Sequence, residues 1–260
     1  MSERHNNHLD KDHELTCTLK EDSRIVLAGL GGVGGSLLQP LALFLQSLNV
    51  ACRLVLVDGD RFQPRDASRQ AFRAIGNKAD VKAAEIIPLL ENSDVTVVAV
   101  DRYLEPRNIS QIIHEGDIIL LCVDNHETRK LVSDHCATLS DVTLLSGGND
   151  GVNPPRQRGT YGNVQVAIRR DKQDVTAPLT KYHPEIAKPK GKLPHEQSCM
   201  ELAPAERQIY VTNFAVASAM LNALFACLCG RLTYQEVKFD VLEARMLPQF
   251  ELPKRIPAKL

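Results

Sequence analysis

The sequence predicts an α/β fold, a doubly wound and mainly parallel sheet with helices on both faces. Three observations carry that expectation. Between Ile25 and Gly148, short apolar runs of strand length alternate with longer segments of helical composition, the pattern of repeated βαβ units. The first run ends in Gly29-Leu30-Gly31-Gly32-Val33-Gly34, which fits G-x-G-x-x-G and opens a helix. The second ends in two acids, Asp58 and Asp60, roughly 20 residues or more beyond the glycines, where a nucleotide-binding unit places a carboxylate for ribose hydroxyls.

Bulk properties narrow the class. The 260 residues suffice for one large α/β domain or two small ones. Neither a repeat nor a second domain boundary is visible, so residues 21–260 read as one domain. Residues 1–20, polar and carrying His5, His8 and His13, read as a frayed N-terminal arm. With 31 basic and 32 acidic residues the net charge is −1, so no global field favours nucleic acid or an anionic membrane. No apolar run reaches the ~20 residues of a membrane span and the start does not resemble a signal peptide. The expected compartment is cytoplasmic. The seven cysteines are odd in number, show no disulfide framework and contain no C-x-x-C pair, so most read as small core residues.

Taken in order, Ile25–Ala28 is a buried strand and Ser36–Leu48 a helix interrupted only by Pro40. Arg53–Val57 is the second strand. A loop with four arginines follows, Arg61, Arg65, Arg69 and Arg73, beside the presumed phosphate site. So many guanidiniums there suit a polyphosphate on which charge develops. A helix begins at Gly76-Asn77-Lys78, carries Lys82 and runs to about Glu91. Asp94–Val100, Asp117–Cys122 and Val142–Gly148 are further strands, separated by helices at Leu104–His114 and Glu127–Leu139. Tyr161–Arg169 is another strand. Prolines 178, 184, 189 and 194 and a run of lysines make 171–198 a mobile crossover segment. Pro204–Cys229 is a long core helix, and Val237–Val241 with Met246–Leu252 a closing hairpin.

Asp58-x-Asp60, then Arg69-Gln70, then Lys82, then a strand ending in Asp124-Asn125, resemble the ordered motifs of the ThiF/MoeB/HesA family, the bacterial relatives of ubiquitin-activating enzymes. The resemblance implies a Rossmann-like sheet with an antiparallel continuation. It also implies an enzyme: an ATP- and magnesium-dependent adenylyltransferase acting on the C-terminal carboxylate of a ubiquitin-like or sulfur-carrier protein, as a homodimer, without nucleic acid or membrane. Carried over, Gly29, Gly31 and Gly34 shape the nucleotide turn, Asp60 takes the ribose hydroxyls and Asp58 is a further cofactor-binding residue. Arg69 and Lys82 hold the phosphates, Gln70 lines the pocket and Asp124 binds magnesium. Cys199, in the crossover region beside His195, is the candidate for a thioester with the carrier.

Several positions depart from the family pattern. Asp66 replaces an asparagine before Arg69, and Leu121 replaces the first acid of D-x-x-D-N. The paired C-x-x-C motifs are absent. No stretch resembles the family's partner-donated arginine segment, and Arg4 and Arg24 are poor substitutes. These departures predict weakened adenylation and keep a non-catalytic ATP-binding scaffold as an alternative. A nicotinamide-dependent (NAD) oxidoreductase is the other, compatible with Asp58 and the glycine turn but giving no role to the arginine-rich loop or to Asp124-Asn125.

Overall fold

A computed structural model describes residues 16–64, 70–155, 157–196 and 208–250. The main sheet contains nine strands: β1 (Ser23–Ala28), β2 (Cys52–Val57), β3 (Val95–Val100), β4 (Ile118–Leu121), β5 (Val142–Asn149), β6 (Tyr161–Arg170), β7 (Gln173–Asp174), β8 (Glu236–Asp240) and β9 (Arg245–Gln249). Their order is β9-β8-β6-β5-β4-β1-β2-β3, with β7 folded back on β6. From β5 to β3 every pairing is parallel; β6, β7, β8 and β9 pair antiparallel. Sheet and continuation are as the sequence implied.

Helices cover both faces: α1 (Gly32–Ser47), α2 (Lys78–Ile86), α3 (Ile109–Ile112), α4 (His126–Cys136), α5 (Pro184–Ala187) and α6 (Tyr210–Leu228). Alternate strand residues feed two cores. Ile25, Leu27, Leu54, Leu56, Leu120 and Leu145 pack with α1, α2 and α6. Val26, Ala28, Val57, Ile119, Leu121 and Leu144 pack with α3, α4 and the 179–186 stretch. Strands covered on both sides need apolar side chains on both sides, which is why β1 and β4 read as continuous apolar runs. Leu121, standing where the family has an acid, is wholly buried in the second core.

Several elements differ from expectation. α1 starts at Gly32, ahead of Ser36, and keeps Pro40 on its exposed face. α2 ends at Ile86 and tightens into a 3-10 turn at Ile87–Leu89, because Pro88 cannot continue the α-helical ladder. The helix expected at 104–114 shrinks to α3. Asn108 instead ties a local turn, accepting from the Glu105 N–H at 2.9 Å and donating to the Tyr103 carbonyl at 2.9 Å, an alternative open to Asn but not to most helix formers. α6 begins at Tyr210, and residues 204–207 of the expected helix lie outside the described residues. By length and composition α6 falls in the membrane-span range, contrary to the reading that no run does. Its Val216, Met220, Ala223 and Leu224 are nevertheless core residues against α1 and the sheet. Segment 171–196 contains β7, α5 and a 3-10 turn at Pro194–Glu196, with Leu179 and Ile186 in the second core.

The topology fixes where a ligand can sit. From β1 the chain winds outward through β2 to β3, then returns to β4 on the other side of β1. Ala28 is in register with both Val57 and Leu121, and Val57 with Val100. The carboxyl ends of four parallel strands are therefore flush. The crevice at such a reversal of strand order is the general ligand site of open α/β sheets.

Candidate functional site

The glycine turn occupies that crevice. Gly29 lies at φ +87°, and a Cβ there would stand 2.8 Å from the Cys122 backbone, so only glycine fits between β1 and β4. A Cβ on Gly34 would stand 1.8 Å from the Gly29 carbonyl oxygen. Gly31 differs: within 4 Å its added Cβ would meet only Gln70 Nε2, at 3.8 Å. The outer face of the turn is thus open over Gly31. The N-cap of α1 is Gly31, which has no side chain to cap it, and the helix dipole and first N–H groups there favour an anion.

Asp58 holds the turn in place. Its buried carboxylate accepts the Leu30 N–H at 2.6 Å and the Asp60 N–H at 2.8 Å. Burial pushes its pKa up to about 6, against the opposing pull of Lys78. With both oxygens engaged by backbone, Asp58 braces the elbow. The family resemblance groups it with Asp60 as a cofactor contact.

Asp60 is the exposed acid, its side chain 52% accessible. One carboxylate oxygen accepts the Tyr103 hydroxyl at 2.5 Å and the other receives Lys78 Nζ at 2.9 Å. Asn77 sets this arrangement. Its Oδ1 accepts the N–H groups of Ala79 and Asp80, capping α2, while its Nδ2 donates to the carbonyls of Asp58 and Asp60. The first turn of α2 is therefore bound to the turn after β2, and Lys78, its first residue, arrives beside Asp60. Lys78 was not singled out on sequence, although an asparagine N-cap followed at once by a lysine was the available signal.

Lys82, which the sequence reading assigned to the phosphates, sits one turn further along. Its ammonium donates to the Ala71 carbonyl at 2.5 Å and to Glu85 at 2.7 Å, and it is buried. Lys78 and Lys82 both approach the Phe62 ring, at 5.8 and 5.6 Å from its centroid. Phe62 stacks on Phe72 at 4.5 Å, clamping the base of the arginine-rich loop. Arg69 itself, with Arg65 and Asp66, lies outside the described residues, as does Cys199.

Asp124 follows β4 and is exposed; Asn125 next to it caps α4 by accepting the Thr128 N–H at 2.8 Å. The Tyr103 phenol is pushed up by burial, by its hydrogen bond to Asp60 and by the negative charge of Asp60, Asp58 and Asp124. Behind them, the buried Arg129 donates to Ser146 Oγ and to the carbonyls of Val123 and Gly147, tying α4 to β5. Burial lowers its pKa. Arg24 pairs with Asp117 and donates to the Ile112 carbonyl, a purely structural use.

An open pocket of about 620 Å³ lies beside Asp60, lined by Gly59, Asp101, Arg102, Tyr103, Glu105 and Arg107 among others. The Tyr103 ring forms one wall and lies against Gly59, where a Cβ would come within 2.5 Å of it. His195, in the crossover segment, reaches Glu105 at 3.6 Å. Gly191 of the same segment donates to Glu127 in the first turn of α4. The segment therefore spans from α4 to the pocket wall.

The residues suit a nucleotide with a hard divalent cation. Gln70 Oε1 and Thr128 Oγ1 are buried without a hydrogen-bond partner among the described residues, in the stretches that flank the open turn and Asp124. Asp124 offers the exposed carboxylate, and magnesium takes one or two carboxylates with phosphate oxygens and water.

Comparison with known proteins agrees. A family model described as "ThiF family" matches residues 12–257. The maize adenylyltransferase and sulfurtransferase MOCS3-2 is 35% identical over 132 residues, 50% of this chain and 26% of its own length. The Escherichia coli sulfur carrier protein ThiS adenylyltransferase is 28% identical over 150 residues, 54% of this chain and 57% of its own. The chain thus spans about a quarter to a little over half of these relatives. In fold it matches E. coli MccB crystallised with ATP (TM-score 0.64, 15% identity, 92% of this chain and 66% of that one) and PaaA (TM-score 0.61, 15% identity, 88% and 72%). With the glycine elbow, the acids after β2 and Asp124 at one crevice, and a family match across nearly all of its length, this chain belongs to the ThiF family.

Proposed function

We propose that the protein is an ATP-dependent adenylyltransferase that activates the C-terminal carboxylate of a small ubiquitin-like or sulfur-carrier protein in the cytoplasm. The observation that carries this reading is the meeting of an open glycine elbow, the Asp60–Lys78 pair and Asp124 at the strand-order reversal. In the reaction a carboxylate oxygen of the carrier attacks the α-phosphorus of ATP. A carboxyl–phosphorus bond forms, the bond from the α-phosphorus to the bridging oxygen breaks, and pyrophosphate leaves. No protein group needs to accept a proton, so the work is positioning and charge stabilisation.

Each residue then has a task. The turn of Gly29, Gly31 and Gly34 lets backbone approach the phosphates, and Asp58 keeps it braced. Asp60 receives the ribose hydroxyls once Tyr103 yields, and the neighbouring pocket takes the base. Lys78, already at the acid, and Arg69 carry positive charge to the phosphates, with Gln70 beside them. Lys82 holds the arginine-bearing loop through the Ala71 carbonyl. Asp124 would hold magnesium, which neutralises charge on the leaving pyrophosphate. In a following step Cys199 Sγ, as thiolate, displaces AMP to give a carrier thioester. The chain acts as a homodimer, for which an exposed apolar stripe on α6 (Val211, Phe214, Phe225) and Leu43 of α1 offers a surface.

The test is exchange of labelled pyrophosphate into ATP, with magnesium and a panel of carrier proteins ending in a free carboxylate. Carrier-dependent exchange is expected. Tight ATP binding with no exchange for any carrier would replace this reading with a scaffold role, and NAD binding without ATP binding would replace it with oxidoreduction. Loss of a dithiothreitol-sensitive carrier adduct in Cys199→Ser is expected; its survival would remove Cys199 from the scheme.

A further inference from the structure

Two half-buried cysteines meet at the end of the domain remote from the crevice. Cys17 lies in the segment leading into β1, and Cys229 is the residue that ends α6. Their Sγ atoms are 3.0 Å apart, about 1 Å beyond the ~2.05 Å of a covalent sulfur–sulfur bond. The backbones are already joined there, the Thr18 N–H donating to the Leu228 carbonyl at 2.9 Å. The other described cysteines, Cys52, Cys122, Cys136 and Cys227, are buried.

We propose that Cys17 and Cys229 are a reversible disulfide site, which when oxidised fastens the segment before β1 to the end of α6. A low-molecular-weight disulfide such as oxidised glutathione supplies the oxidant. One protein thiolate attacks it, a protein–glutathione disulfide forms and one reduced glutathione leaves. The second cysteine, its proton lost to solvent, attacks the protein sulfur of that mixed disulfide; the protein–protein bond forms and a second glutathione leaves. Two protein thiols are oxidised and one glutathione disulfide is reduced. Burial and the adjacent Cys229 push the Cys17 thiol up to about 12, so the exchange speeds up as pH rises.

The placement gives the bond a defined effect. Asn213, near the start of α6, packs on Gly32 behind the glycine turn, while Cys229 lies 16 residues on, about 24 Å along a helix at 1.5 Å per residue. The link is thus remote from the nucleotide crevice and independent of the adenylation reading. It joins positions 212 residues apart, so it restricts almost the whole unfolded chain. In a reducing compartment the pair stays dithiol and responds to oxidant; in an oxidising one it is a standing staple.

The test uses the full chain equilibrated with glutathione buffers of rising oxidised fraction, quenched in acid, alkylated and digested without reduction. The expected result is a peptide pair linked through Cys17 and Cys229, monomeric on non-reducing gels. A rise in melting temperature should accompany it, reversed by dithiothreitol and absent in Cys17→Ser. Cys17 and Cys229 found separately alkylated or glutathionylated at the highest oxidised fraction would overturn the proposal. So would Cys17 linked to another cysteine, or a bond found only between two chains.

Discussion

Replacing Lys78 by methionine separates the two lysines of α2 by their surroundings. Methionine matches the length of the buried stem but removes the charge 2.9 Å from Asp60. The partner carboxylate is 52% accessible and stays solvated, so folding stability should change by only ~0–1 kcal/mol. For a chain of this size that is at most about 4 °C in melting temperature. Catalysis should suffer far more, because loss of one preorganised charge on a developing oxyanion costs about 3–4 kcal/mol, or roughly 100- to 1,000-fold in rate. Lys82→Met should behave in the opposite way. It takes the ammonium from Glu85, whose side chain is 19% accessible and keeps the Arg73 N–H, and from the Ala71 carbonyl. Losing the hydrogen bonds of this buried ammonium costs about 1.5–3 kcal/mol, a fall of roughly 3–12 °C. Pyrophosphate exchange and thermal melts on the two variants, each normalised to folded protein, decide the matter. Wild-type exchange in Lys78→Met would refute the reasoning. A 100-fold loss in Lys82→Met with an unchanged melt would, on the same scale, return the phosphate role to Lys82.

Three further outcomes follow from the same geometry. Tyr103→Phe removes an internal donor that competes for Asp60 and should tighten ATP about fivefold by calorimetry, the equivalent of ~1 kcal/mol for one hydrogen bond; weaker binding would show that the hydroxyl orients the acid instead. Gly34→Ala forces a Cβ to within 1.8 Å of the Gly29 oxygen and should cost about 1–3 kcal/mol together with nucleotide binding, whereas a variant that still binds ATP normally would show the elbow is not the site. The Asp58 carboxyl, pushed to about 6 by burial, holds its proton more tightly folded than unfolded. The stability supplied by that proton is present below ~pH 4 and is lost as pH rises through about 6. Asp58→Asn should flatten the denaturant midpoint across that window, with Asp117, pushed to about 7 by burial, retaining its own share of the slope; an unaltered profile would count against it.

The sheet was legible because strands packed on both faces must be apolar throughout, so β1, β2, β4 and β5 announce themselves at nearly their true bounds. The elbow was legible for the same kind of reason: Gly29 and Gly34 stand where no Cβ fits, so the residue type is forced by contact. Helix composition was a weaker guide, since Asn108 satisfied local backbone and reduced Leu104–His114 to one turn. Side-chain partners were not legible. Both Lys78 and Lys82 lie on α2 near Phe62, and only three-dimensional placement shows which meets Asp60 and which meets Glu85. Asp58 and Asp60 look equivalent in sequence, yet two backbone N–H groups consume one and leave the other exposed. The approach of Cys17 to Cys229 depends on contacts across 212 residues, and no local spacing rule reaches so far.

Asn77 is a side chain with two unlike ends, and both are in use. Serine or aspartate at that place would start the helix just as well, but neither carries two hydrogens to hand back to the 58–60 carbonyls, and aspartate would set like charge against them. A carboxamide is therefore the one chemistry among the usual helix starters that keeps acid and cation in fixed step. The spacing between them belongs to the main chain, so the crevice meets its ligand already set.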